Sequence, residues 1–96
     1  MPQVNDQTPD QIITALNQGQ HFLARRTVGA EDEWVFVKRV GEGVYRWRLE
    51  TQPAQGFGVG RKSTEQWTRA QLSDWLGRER YQHTSVYDVD DTIMFD

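Results

Sequence analysis

The sequence predicts an α+β fold, ordered α-β-β-β-α, with a three-stranded antiparallel meander and helices packed on one face. Three observations carry this expectation. A helical apolar stripe opens the chain, the apolar period then changes from 3.6 to 2 over three runs, and hairpin-length linkers separate those runs.

The first helix is expected over about residues 9–18. Thr8 caps it, Pro9 sits at the first helical position where a missing N–H costs nothing, and Gln11 completes a capping box. Ile12, Ile13, Ala15 and Leu16 form its apolar stripe, and Gly19 offers a left-handed stop. The strands follow at 21–28, 34–40 and 44–51, rich in β-branched and aromatic residues. The linkers between them are Gly29-Ala30-Glu31-Asp32-Glu33 and Gly41-Glu42-Gly43.

Register decides which face of the meander is buried. A three-residue loop with Gly43 left-handed pairs Val40 with Val44, and Val35 and Val37 then share a face with Tyr45, Trp47 and Leu49. A two-residue loop moves Trp34 and Phe36 onto that face instead. Either way Arg46 and Arg48 lie on the opposite side, so the exposed face is expected to be basic.

Residues 52–62 carry glycine at 56, 58 and 60 and read as a mobile loop. Ser63 with Gln66 makes a second capping box, and a helix is expected from Thr64 to Leu76 or Tyr81. Leu72, Trp75 and Leu76 should face the sheet, with Trp67 and Ala70 at its flank. The expected core is Leu16, Trp47, Leu49, Leu72, Trp75 and Leu76. Residues 83–96 alternate in part and read as an acidic tail or an added edge strand. The domain expected is 8–96, with residues 1–7 frayed.

The chain has 96 residues, no cysteine and a formal charge of −3. That is length for one domain, and it excludes disulfides, a thiol nucleophile and thiolate-bound zinc. No apolar run is long enough to span a bilayer, so a cytoplasmic protein is expected, with no membrane contact. Charge is unevenly spread: residues 21–62 hold eight bases against five acids, and residues 83–96 hold four aspartates and no base.

The motifs argue against catalysis. Gly56 to Ser63 imitates a phosphate loop, but Arg61 stands where the glycine before Lys62 is required. Asp88-Val89-Asp90-Asp91-Thr92 opens like a calcium loop and lacks both its sixth-position glycine and its closing glutamate. His21 and His83 have no metal-ligand spacing around them. No enzyme and no cofactor are expected.

Element order over residues 8–76, with Gly58-Val59-Gly60-Arg61-Lys62 before the second helix, resembles the double-stranded-RNA-binding domain. Read from the residues alone, Arg61 and Lys62 are expected at a helix N-terminus whose free N–H groups offer a loose anion site. The sequence departs from the family between strands one and two, where Glu31-Asp32-Glu33 replaces a loop histidine. The tail, acidic and ending in Ile93-Met94-Phe95, resembles the partner-recruiting tip of bacterial single-stranded-DNA-binding proteins.

The functional expectation is a small non-enzymatic protein-binding module, a regulator, inhibitor or accessory factor that occupies a partner's surface. The aromatic and arginine excess suits an interface. The candidate contact residues are Arg46, Arg48, Arg61, Lys62, Trp34 and Phe36. The alternative is a nucleic-acid-binding domain, against which a sequence pI near 5.3 weighs. Oligomeric state is not legible.

Overall fold

In the computed structural model, residues 8–53 and 60–87 are described. The element order is α1 (Pro9–Asn17), β1 (His21–Val28), β2 (Glu31–Gly41), β3 (Val44–Pro53), β4 (Arg61–Thr68), α2 (Arg69–Arg78) and β5 (His83–Tyr87). The strands form one antiparallel sheet in the order β4-β3-β2-β1-β5.

Helix α1 forms as its capping chemistry dictates. The Gln11 N–H donates to Thr8 Oγ1 at 3.2 Å, and the Thr8 N–H donates to Gln11 Oε1 at 2.9 Å. Two of the helix's otherwise unpaired amide ends are thereby satisfied. The helix stops where Gly19 takes a positive φ of 95°. Its stripe of Ile12, Ile13 and Leu16 is buried.

The meander of β1, β2 and β3 is as the period-2 runs predict, with one extension. The turn between β1 and β2 uses Gly29-Ala30 alone, with Gly29 at φ 60°. Glu31, Asp32 and Glu33 therefore join β2 and pair with Val28, Thr27 and Arg26. Side chains reinforce this register. Thr27 Oγ1 donates to Asp32 at 2.7 Å, and Arg26 Nε donates to Glu33 at 3.0 Å.

In the second hairpin, Val35 faces Leu49, Val37 faces Trp47 and Arg39 faces Tyr45. That register is the one expected of a three-residue loop. It is reconciled with a Gly41–Val44 pair by a register shift between Arg39 and Gly41. Gly43 is left-handed at φ 69°.

The segment after residue 60 departs from expectation. Arg61–Thr68 is a strand, not the start of a helix, and pairs along β3 from Thr51 to Val44. Both Ser63…Gln66 and Thr68…Gln71 read as capping boxes. The second is the one used: the Gln71 N–H donates to Thr68 Oγ1 at 3.3 Å, and α2 begins at Arg69. As a strand, the segment pairs the free edge of β3 and stacks Trp67 on Trp47, with centroids 4.8 Å apart. The extra strand also breaks the element order on which the double-stranded-RNA-binding resemblance rests. Gly60 enters β4 under a close contact, since a Cβ there would lie 2.0 Å from the Thr51 carbonyl oxygen.

Part of the expected edge strand is β5, which pairs antiparallel with β1. Residues 1–7, the glycine-rich 54–59, and 88–96 with Ile93, Met94 and Phe95 lie outside the described residues.

Both helices cover one face. Leu16, Leu72, Phe22, Ala24, Val35, Val37 and Tyr45 are nearly inaccessible there, and Trp75 is buried. Trp47, Leu49 and Leu76, expected inside, are partly buried and pack against this core. Tyr45 also donates its hydroxyl to Asn17 Oδ1 at 2.8 Å, tying β3 to α1.

Candidate functional site

Alternation along each strand sends every second residue to the face that the helices leave open. Cross-strand pairing arranges those residues in rows. One row runs Lys62, Glu50, Trp34, Arg25, His83. The next runs Thr64, Arg48, Phe36, Leu23, Ser85. The third holds Gln66, Arg46 and Lys38, with His21 and its partner Tyr87 at the β1–β5 end. Five strands span roughly 19 Å, and successive rows lie about 7 Å apart.

The three rows contain five cations, Arg25, Lys38, Arg46, Arg48 and Lys62, against one carboxylate, Glu50, and the adjoining row of Thr27, Asp32 and Gln52 adds a second carboxylate. Glu50 pairs with Arg48, two residues away on the same face. The Arg48 guanidinium also stands 5.9 Å from the centroid of its cross-strand neighbour Phe36. Trp34, Phe36 and Leu23 are half-buried in the middle of the field.

Charge on the other side of the sheet is handled differently. There Arg26 meets Glu33 and Glu79, Arg61 meets Glu31, Arg69 meets Asp10 and Arg78 meets Asp74. Acids and bases compensate each other locally around the helices. On the open face Glu50 takes Arg48, and the five cations outnumber the two carboxylates, Glu50 and Asp32.

Five of the six candidate residues are therefore brought together: Trp34, Phe36, Arg46, Arg48 and Lys62. Arg61 is not. It neighbours Lys62 in β4, points to the opposite face, and reaches Glu31 at 3.1 Å. Neither Arg61 nor Lys62 sits at a helix N-terminus, because α2 starts seven residues further on than Lys62. The anion site implied by that placement is corrected accordingly. Arg25, Lys38, Leu23 and His83 belong to the field and were missed. The signal was present in β1, where Arg25 alternates with the buried Ala24 once the hairpin register is known.

The face ends at a histidine with a perturbed proton equilibrium. His21 is 8% exposed, edge-on to Tyr87 with centroids 5.9 Å apart. Burial holds its imidazole below the ordinary value, and the Lys38 charge pushes the same way.

A second feature lies among α1, α2 and β5. A cleft of about 330 Å³ is walled by Ile12, Phe22, Trp75, Leu76 and Tyr81, with Arg80 at its rim. Beside it the Arg26 guanidinium lies 4.3 Å over the Tyr81 ring and donates to the Arg80 carbonyl. Burial pushes the Tyr81 hydroxyl up to about 12, partly opposed by Arg26. These contacts fasten the segment after α2 to β1.

Among the described residues no group of three or more His, Cys, Asp or Glu is placed to hold a metal ion. No helix there is long and apolar enough to cross a membrane. No family model, curated protein or solved structure matches the chain.

Proposed function

We propose that this chain is a non-enzymatic binding module, a regulator, inhibitor or accessory factor, that receives an anionic partner on the open face of its sheet. One observation carries the reading: five cations against two carboxylates share four adjacent rows of this face, with Trp34 and Phe36 in the middle strand. Arginine and tryptophan are the side chains that contribute most per residue at interfaces, and a one-sign field steers an oppositely charged partner. An acidic protein surface and a nucleic acid would meet the same side chains. The net charge of −3 does not weigh against either, because a partner at this face meets the local surplus and not the molecular sum.

The test is retention on heparin, a generic polyanion, near physiological salt, where charge is screened over about 8 Å. Wild-type protein should be retained, and Arg46→Glu/Arg48→Glu should flow through. Arg69→Glu/Arg78→Glu on the helix side changes net charge equally and should remain bound. Equal loss in both variants would show that total charge governs retention and would remove the open face as the site.

A further inference from the structure

We infer that the anionic partner is single-stranded nucleic acid, with bases stacking on Trp34 and Phe36 while phosphates meet the surrounding arginines and lysines. This rests on the open face being the binding site, as argued above, and names what fills it.

The inference begins with spacing. Trp34 and Phe36 lie on β2, the middle strand of five, two residues apart on the same face. Two residues of strand separate them by about 7 Å, whereas stacked nucleotides in one strand of a duplex rise only 3.4 Å. Two neighbouring bases reach both rings only if they unstack and splay. A single strand allows that, while a duplex keeps its bases paired and stacked inside. The rings themselves would contribute by stacking, which is tolerant of sequence because every base has a flat π-face.

Charge placement is the second strand of the argument. Arg25 neighbours Trp34 across one side and Arg48 neighbours Phe36 across the other. Lys62 lies beyond Glu50 in the Trp34 row, and Arg46 and Lys38 flank the Phe36 row. Arg25 and Arg48 thus stand directly beside the rings, with Lys62, Arg46 and Lys38 further out to meet phosphates, while Glu50 and Asp32 are the carboxylates next to Trp34. An acidic polypeptide would satisfy the cations and leave the rings without flat partners. Shape agrees as well. Among the described residues both helices occupy the other face, so the open one is a sheet surface and not a pocket.

The experiment measures binding by fluorescence anisotropy, with the full chain, at several salt concentrations. The probes are a labelled oligothymidylate of about 15 nucleotides, a duplex of equal length and poly-L-glutamate. The oligothymidylate should bind at least about tenfold tighter than the other two. Its log affinity should fall with log salt at a slope of about −3, as expected for about four neutralised phosphates on a single strand. Trp34→Leu/Phe36→Leu should weaken it at least about thirtyfold while leaving heparin retention intact, the loss expected from removing two stacked bases. Trp34→Phe keeps a ring and should bind normally. It should also lose most of the oligothymidylate-induced fluorescence quenching, because Trp47, Trp67 and Trp75 lie on the helix side.

Equal binding of duplex and single strand would overturn the inference and leave the face as a plain polyanion site. Tighter binding of poly-L-glutamate would replace nucleic acid by an acidic protein partner. Retention on heparin without any binding of oligothymidylate overturns the inference alone, and failure of both overturns the open-face reading beneath it.

Discussion

The two faces of this sheet are made by the same strands, and nearly every chemical property alternates between them. Phe22 and Leu23 are neighbours in β1, yet Phe22 is 2% exposed beneath the helices while Leu23 lies half-buried on the open side. Val35 and Val37 are inaccessible, while Trp34 and Phe36 beside them face outward with the cations. Ion pairs on the covered side join acid to base around the helices; the open side keeps a cationic surplus. The lesson is that a net charge is a poor description of a two-faced molecule. Each face has its own balance, and screening over about 8 Å at physiological salt keeps them electrostatically separate.

The strongest way to break the comparison is to cut equally into both faces. Phe22→Ala should cost about 3–5 kcal/mol, because it removes a buried ring and leaves a cavity under α1 and α2. Leu23→Ala, one residue away, should cost less than about 2 kcal/mol, since its side chain is already partly in water. Urea unfolding of the two variants at one pH measures the difference. Equal losses would mean that the open face is covered in solution.

How much of this contrast was legible in the sequence depends on the element. The meander, the left-handed Gly43 and the position of Arg46 and Arg48 followed from period and turn chemistry, because local residues set all three. The stretch from Arg61 to Thr68 was not legible. Its single large apolar residue is Trp67, so it carries no period-2 pattern, and Ser63…Gln66 imitates the cap that Thr68…Gln71 provides. What makes it a strand is a long-range fact, the unpaired edge of β3 and the Trp47 ring waiting there. The candidate site inherits the same limit. Arg61 and Lys62 were read as a pair at a helix start, and only strand geometry separates them onto opposite faces. Arg25 and Lys38 needed the β1–β2 register, which the short Gly29-Ala30 turn defines.

A smaller effect sharpens the covered side. Tyr81 is lifted to about 12, first by burial and also by the Glu33 and Glu79 charges, against the pull of Arg26. The unfolded chain releases that proton near pH 10 and the folded chain near 12, so the folded state holds more protons in between. Stability from this group is fully present below pH 10 and is lost as pH rises toward 12. Melting temperatures should fall across that window, and Tyr81→Phe should flatten the fall while keeping the Arg26–ring contact. An unchanged slope in Tyr81→Phe would place the alkaline sensitivity elsewhere.

The smallest effect tests where the open face stops being open. His21 belongs by alternation to the outward rows, yet it is 8% exposed, beside Tyr87 and under the influence of Lys38. Burial first, and then the Lys38 charge, lowers its proton affinity below that of the unfolded chain, whose value is about 6.5. Below that pH the unfolded state binds more protons than the folded one, so stability is present above about 6.5 and is lost as pH falls through the lowered folded value. The face consequently gains no appreciable charge from His21 at neutral pH. Proton NMR of the His21 ring should show a midpoint below 6.5, and the melting temperature should decline from pH 6.5 downward. His21→Gln should lessen that decline. A His21 midpoint at or above 6.5 would show an imidazole in water, and the cationic field would then extend one position further toward β5, with polyanion affinity rising as pH falls through that midpoint.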